Sequence, residues 1–384
     1  MKIIKTTTSV RKNPDDLTVI KLWVRAGGRC GFNGCNEYLL IDNLTLEEAN
    51  FSNIAHVVGA ELNGPRGKSN LPLEQRNKIE NLMLLCRKHH KLIDDKKLEG
   101  RYPVELLQSY KKRHEDRIFQ LTDIQEGSKT FVVRLRGKID GEAVTVPNSH
   151  IKNAILPRYM ADDTGMEIDL TALPVGDDAN YWQTGKQIIS EKIDDIYRPG
   201  VEKKEIEHIS VFAIGPIPLL MFLGNKLSNA IETDLFHLHK DVENWTWKTD
   251  GDSVKYKMHL LSEGKDDCLV ALLLSLSGPI KREDLPNTLK DYWIYEITLD
   301  QTIPNRMFMR KKEDLFSFRK NFRQFLCEVR EKHKRVKEIL LFPAIPAPVA
   351  IACGRDLIKK TDPALKIYDF NKNRGGFREI LTIN

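Results

Sequence analysis

Cysteine is scarce in this chain, with six residues among 384. So low a count excludes the disulfide framework of a small secreted domain and points to a reducing cytoplasm. Long apolar runs are missing too. The longest, Ile209–Gly224 and Ile339–Gly354, are too short to cross a bilayer, and both carry prolines. The first residues, MKIIKTTTSVRKNPDD, lack the apolar stretch and small-residue cleavage site of a secretory leader. A cytoplasmic protein with no membrane partner is expected. Nor does one charge sign dominate, since 60 Lys and Arg stand against 54 Asp and Glu. With 41% hydrophobic residues and both charges mixed, wholesale disorder is excluded. At about 150 residues per domain, the length predicts two or three domains.

The net charge of +6 is unevenly placed. Residues 1–120 hold 21 Lys and Arg against 15 Asp and Glu, whereas residues 121–384 hold 39 of each. A basic first third on a neutral body suggests nucleic-acid contact by the N-terminal part.

Residues 15–28 (DDLTVIKLWVRAGG) read as a helix, with Asp15 or Asp16 as its cap and Gly27-Gly28 as its end. Leu17, Ile20, Leu22 and Trp23 are its predicted apolar face. Phe51–Ala60 reads as a short strand entering a turn, and Glu61–Arg76 as a Gly/Pro/Asn-rich loop. Asn81–Cys86 is an apolar step into a helix from about Arg87. Tyr102–Leu121 is an amphipathic helix with a basic cluster at Lys111–Arg113. The polar segment Thr122–Thr130 marks a boundary, giving a domain over 1–122, a linker over 123–130 and a second domain over 131–384. In the latter, strand-like runs (FVVRLRG, HISVFAIG, LVALLLSLSG, YWIYEITL, EILLFPAI) alternate with helical stretches such as Lys312–His333, which predicts an α/β fold. The basic helical stretch Arg310–Lys337 reads as a solvated face.

The second domain also repeats itself. Phe212–Leu227 and Phe342–Leu357 align without gaps at an offset of 130, matching Phe212/Phe342, Pro216/Pro346, Pro218/Pro348, Gly224/Gly354 and Leu227/Leu357. Each copy reads strand, Pro-x-Pro turn, helix, with proline where the first helical turn needs no N–H. A pseudo-symmetric domain with a cleft between its halves is expected.

Three of the cysteines fall in a metal-binding pattern. Cys30-x4-Cys35 and Cys86-x2-His89 can surround one zinc ion with four protein ligands, a closed and therefore structural site. Such a staple suits a loop-rich module with little core. Beside it stand His56, Asn81 and His90. Adjacent helical residues point about 100° apart, so His89 can face zinc while His90 faces elsewhere. Phosphodiester hydrolysis needs a base for water and a cation for the phosphate. His56 suits the first role, His90 suits binding a divalent cation, and Asn81 can fix the backbone between them.

Cys30-x4-Cys35, Ala55-His56, Gly64-Pro65-Arg66-Gly67, Asn81-Leu82 and Cys86-x2-His89-His90 together resemble the HNH endonucleases. The resemblance covers about residues 20–95. It implies a ββα-metal fold that cuts double-stranded DNA, with His56 as general base, Asn81 as the central Asn and His90 as the Mg2+ ligand beside the structural Zn2+. Ala55 stands where many members have a second, acidic metal ligand. A backbone carbonyl, Asn53 and Asp94 are the candidates to replace it, and Arg66 is a candidate phosphate contact.

Residues 130–384 resemble the SAVED sensor domain of bacterial anti-phage (CBASS) systems. The likeness rests on Pro216-x-Pro218 with Gly224, Leu276-Ser277-Gly278, Pro346-x-Pro348 with Gly354-Arg355, and Tyr368-Asp369. It implies two fused CARF-like, Rossmann-like halves that bind a cyclic di- or trinucleotide and associate as a homo-oligomer when they do. Ligands of open α/β sheets sit at the carboxyl ends of strands near helix N-termini. Bases want aromatic faces and phosphates want cations. Tyr181-Trp182-Gln183-Thr184-Gly185-Lys186, read as a polar loop, offers both. Arg158, Tyr159, Ser277 and Pro346 are further candidates. The expected whole is an α+β multidomain protein, a ligand-activated and metal-dependent DNA endonuclease of antiviral defence. A zinc-stapled DNA-binding regulator without catalysis, or an unregulated restriction-type HNH nuclease, are the rival readings.

Overall fold

The computed structural model describes residues 13–123, 128–139, 142–143, 146–173, 179–197, 206–239, 241–371 and 375–384. The first twelve residues, read above for a leader, and residues 124–127 of the expected linker lie outside that set. The chain divides into two compact units, Met1–Gln125 and Glu126–Asn384.

The N-terminal unit contains α1 (Asp16–Ala26), β1 (Ser52–His56), β2 (Leu82–Cys86), α2 (Arg87–Ile93) and α3 (Val104–Thr122). Helix α1 begins where the Asp15 carboxylate accepts the Thr18 N–H at 2.8 Å. It ends at Gly27, whose left-handed backbone (φ 59°) lets its N–H turn back onto the last carbonyls. Only Leu22 and Ala26 of this helix are buried. Leu17 and Ile20, expected in the apolar face, are each 59% exposed, because the core meets one narrow stripe of α1. Strands β1 and β2 pair antiparallel, with Ser52 opposite Cys86 and His56 opposite Leu82. All five residues of β2 are buried. The basic cluster on α3 is largely neutralised: Lys111 pairs with Glu115, Lys112 with Asp116 at 2.7 Å, and Arg113 donates to Asn33.

The second unit carries β3 (Lys129–Arg136), β4 (Lys138–Ile139), β5 (Glu142–Ala143), α4 (Asn148–Ala154), β6 (Tyr159–Met160), β7 (Met166–Asp169), α5 (Ala179–Tyr197), β8 (His208–Ile214), α6 (Ile217–Leu227) and β9 (Glu232–Leu235). It continues with β10 (Tyr256–Ser262), β11 (Val270–Ser275), β12 (Trp293–Leu299), α7 (Lys312–Lys332), β13 (Glu338–Ala344), α8 (Ala347–Arg355), β14 (Ala364–Asn371) and β15 (Gly376–Ile383). One sheet is parallel, with β3 pairing β6 and β7 along one edge, then β8 and β9. The other runs β10-β12-β11-β13-β14-β15, parallel in its four inner strands and antiparallel at both edges. Strands β8 and β11 are buried along their whole length, as continuous apolar runs in parallel sheets require. The architecture is mixed α/β with Rossmann-like sheets.

The repeat is visible in space. β8-α6-β9 and β13-α8-β14 are both parallel strand–helix–strand units, with Pro216 and Pro346 as N-caps and Pro218 and Pro348 in the first turn. Helices α6 and α8 meet at the matched glycines. A Cβ on Gly224 would lie 1.9 Å from the Ile351 carbonyl, and one on Gly354 would lie 1.9 Å from the Met221 carbonyl. These two contacts exchange under the 130-residue offset. The expected cleft is therefore absent at this crossing, where the two backbones leave no room for a methyl group.

Candidate functional site

Local chain geometry gathers the four sulfur and nitrogen donors. After α1, the Gly31 N–H donates to the Leu84 carbonyl at 2.8 Å, which ties the first knuckle to β2. The Cys35 N–H closes a turn onto the Phe32 carbonyl. Cys86 ends β2 and is the N-cap residue of α2, so His89 follows one turn later. The donor atoms of Cys30, Cys35, Cys86 and His89 all lie within 4.8 Å of one another. Nδ1 of His89 faces the sulfurs, at 3.1 Å from Cys86 Sγ and 3.7 Å from Cys30 Sγ, and the Phe32 ring stacks on its imidazole at 4.1 Å. Burial pushes the Cys30 and Cys86 thiols up and holds His89 down. Thiolates in such surroundings need a cation at their centre, and a neutral imidazole is the form that ligates one. This Cys3His cluster can hold a metal ion.

His90 points away from the cluster. Its Nε2 lies 3.6 Å from Oδ2 of Asp94, which caps the C-terminus of α2. The other oxygen of Asp94 accepts from Arg66 Nη2 at 3.0 Å. Arg66 is only 8% exposed and holds a left-handed backbone (φ 54°). Its guanidinium also donates to the Val57 carbonyl at 2.8 Å, the His56 carbonyl at 3.3 Å and the Ile93 carbonyl. Arg66 is therefore not a free phosphate contact. It is the tie that joins the strand carrying His56 to the end of the helix carrying His90. A buried Arg76 closes the same loop by donating to the carbonyls of Gly59 and Gly67 at 2.6 and 3.0 Å.

Asn81 is 5% exposed and clamps the chain just beyond His56. Its Oδ1 accepts from the Val58 N–H at 2.8 Å, and its Nδ2 donates to the carbonyls of Val58 and Arg76, each at 2.9 Å. His56 Nε2 lies 2.9 Å from Oδ1 of Asn77. Of the three candidates for an acidic ligand's replacement, strand alternation places Asn53 on the buried face of Ala55, opposite His56. Asp94 is the one that stands beside His90. Sequence reading missed Asn77 and Arg76, because neither lies at a motif position.

The sensor candidates scatter. Residues 181–186 are not a polar loop but part of α5. Trp182 is 8% exposed in the main core, Thr184 is half-buried, and a Cβ on Gly185 would touch Leu219 at 2.8 Å, so this face packs against α6. The Lys186 ammonium lies 5.5 Å from the centre of the Phe222 ring. Arg158 precedes β6, which pairs with the first residues of β3, and its partner Glu232 (3.7 Å) opens β9. Arg158 therefore sits at the amino ends of the strands, the wrong end for a ligand of such sheets, and Tyr159 shares that position. Ser277 and Pro346 do meet at carboxyl ends. The Ser277 N–H donates to the Ala344 carbonyl at 2.7 Å, and Pro346 caps α8 two residues later. The Tyr181 phenol, raised by burial and then by the charge of Asp369, places the start of α5 near the carboxyl end of β14.

Residues 189–383 match the SMODS-associated and fused to various effectors sensor domain, abbreviated SAVED. Solved structures with similar coordinates include the Acinetobacter baumannii Cap4 SAVED/CARF-domain containing receptor with the cyclic trinucleotide 3'3'3'-cAAA, at 12% identity and a TM-score of 0.45 over 75% of this chain and 61% of that one. The same receptor with 2'3'3'-cAAA gives 13%, 0.44, 78% and 62%. The Moraxella osloensis Cap4 receptor gives 12%, 0.41, 75% and 60%. The chain spans about three fifths of the length of these receptors. No curated protein matches it. Among the described residues, no helix is long and apolar enough to cross a membrane.

Proposed function

The chain belongs to the SAVED sensor family, and from that premise we propose that it is a DNA endonuclease switched on by a cyclic oligonucleotide. One observation in the N-terminal unit carries the catalytic half of this reading. The strand–strand–helix element β1-β2-α2 supplies two donors of the Cys3His cluster, Cys86 and His89, and also a hydrogen-bonded chain running His56 carbonyl, Arg66, Asp94, with His90 beside Asp94. Arg66 can serve the fold alone, but a structural metal module does not call for His90 and Asp94 to stand together on one side of α2.

The assignments follow from these contacts. Cys30, Cys35, Cys86 and His89 would hold zinc and keep β2 and α2 against the first knuckle. His90 and Asp94 offer one imidazole and one carboxylate oxygen, a donor set that suits Mg2+ or Mn2+. Arg66 occupies the other Asp94 oxygen and so orients the one facing His90. A divalent cation there would neutralise charge on the phosphate and on the departing oxygen. With Asn77 Oδ1 accepting from His56 Nε2, the other ring nitrogen carries the lone pair that takes a proton from water. Asn81 is a positioning residue, because it holds the Val57–Val58 backbone from which His56 projects. In the sensor unit, Ser277 and the α8 N-terminus at Pro346 would face the ligand phosphates. Ligand binding activates by favouring the associated form of the sensor, and it can do so only through a higher affinity for that form.

The test is a plasmid incubated with purified protein, Mg2+ and a panel of cyclic di- and trinucleotides. Cleavage with one ligand only is the expected result. Retarded but uncut DNA under every ligand would support a non-catalytic regulator. Cutting with no ligand at all would support an unregulated nuclease.

A further inference from the structure

The basic stretch Arg310–Lys337, expected to be a solvated face, pairs most of its cations with carboxylates. Lys312 pairs with Asp234, Arg319 and Arg323 with Asp356, Lys332 with Glu328, and Arg335 with Asp266. The exception is a cavity of about 340 Å³ at the amino ends of β13 and β14. Its walls include Arg330, His333 and Lys334 from the end of α7, Lys337 before β13, and Lys360 and Asp362 from the loop before β14. Arg330 donates to Asp362, whose carboxylate also accepts the Ile358 N–H at 2.8 Å. That pair is buried on the acid's side and fixes one wall without net charge.

Lys334, Lys337 and Lys360 have no carboxylate partner among the described residues. The cavity's side chains thus carry four cations against one carboxylate, and the wall also includes Asn384, the last residue of this sequence, whose terminal carboxylate would offset one ammonium. The C-terminus of α7 contributes only about half a negative charge and cannot balance the other two. Lys360 comes from a separate segment, held in a left-handed backbone (φ 66°) by the fixed loop. Three flexible point charges around one open cavity suit anionic oxygens contacted without base recognition.

We propose that this cavity binds phosphate groups of a DNA backbone, so that the sensor unit adds its own contact to the duplex. The choice of DNA rests on the endonuclease reading above, whereas the phosphate chemistry rests on the cavity alone. It lies at the opposite end of the strands from Ser277 and Pro346, and so is distinct from the ligand position proposed for them.

The experiment is binding of a labelled duplex to the full chain without added Mg2+, across a KCl series, for wild type and the triple variant Lys334→Glu, Lys337→Glu, Lys360→Glu. The expected result is a roughly 10- to 100-fold weaker affinity and a log K against log salt slope shallower by about 2–3. The melting temperature should be unchanged, because all three side chains are exposed. The milder triple Gln variant should show the same direction if the reversed charges disturb folding. An unchanged slope, or no duplex binding by wild type, overturns the proposal. Pyrophosphate that stabilises wild type but not the variant, with the DNA slope unchanged, would assign the cavity to a free phosphate compound and overturn the DNA assignment. Cleavage recorded in parallel separates the two claims. A slope that falls in a protein that never cuts keeps the cavity and removes the nuclease. A protein that cuts with its slope unchanged removes only the cavity.

Discussion

The two units reach stability by different routes. Among the described residues, the N-terminal unit has a core of 13, two of which are the donors Cys30 and Cys86. The C-terminal unit has a main core of 44 among the described residues, sealed by helices that touch through glycine backbones. A small core does little to offset the ordering entropy of long loops, and the N-terminal unit adds buried arginines that bind carbonyls and a Cys3His cluster that can hold a metal ion. The larger unit depends on apolar burial and shape. The contrast predicts two unrelated ways for one chain to fail, loss of an ion from the cluster and a methyl group gained at the glycine crossing.

Metal removal should break the contrast most strongly. Chelation, or Cys86→Ser, should abolish the N-terminal unfolding transition in calorimetry and leave the C-terminal one in place, since structural zinc contributes on the order of 10 kcal/mol to such modules. A single unperturbed transition would show that the cluster does not hold that unit together. Next in size is His56→Ala, expected to slow ligand-dependent cleavage about 10²–10⁴-fold while ligand binding and both transitions survive. Wild-type cleavage rates in that variant would remove His56 as the base.

Gly224→Ala probes the other unit. A Cβ 1.9 Å from a carbonyl oxygen must force α6 and α8 apart, for a loss of about 3 kcal/mol in chemical denaturation confined to the C-terminal transition. Gly354→Ala should cost a similar amount, because its contact is the symmetric one. The smallest expected effect is electrostatic. Burial alone would raise the Asp234 carboxyl, but its interactions with His208 and Lys312 outweigh burial and hold it down to about 2. A carboxyl held below its unfolded value of 3.8 stabilises the fold above about pH 4, and this is lost as pH falls toward 2. The C-terminal unit should therefore lose about 2 kcal/mol over that window, a loss that Asp234→Asn should not show.

Much was legible along the chain because it depends on neighbours in sequence. Asp15 and Gly27 bound α1 as their residue types require, and the Pro-x-Pro turns begin α6 and α8. The spacing of Cys86 and His89 already places both on one helical turn. What misled was local composition without knowledge of burial. Tyr181–Lys186 has the residues of a base-and-phosphate site, yet Trp182 and Gly185 serve helix packing. Arg66 looks like a loop cation and is a buried tie. Asn77 carries no motif at all, and only the folded loop puts it on His56.

The sequence by itself determined the bounds of α1 and the starts of α6 and α8, which residues could share a metal, and that the second unit repeats itself. Those properties follow from caps, ligand spacing and periodicity within a few residues or a fixed offset. Tertiary structure alone decided which cations are spent on carboxylates, which loop reaches His56, and that the two copies touch through their glycines at the α6–α8 crossing. Each of these depends on distances between residues tens to hundreds of positions apart, which burial and packing set and no local pattern encodes.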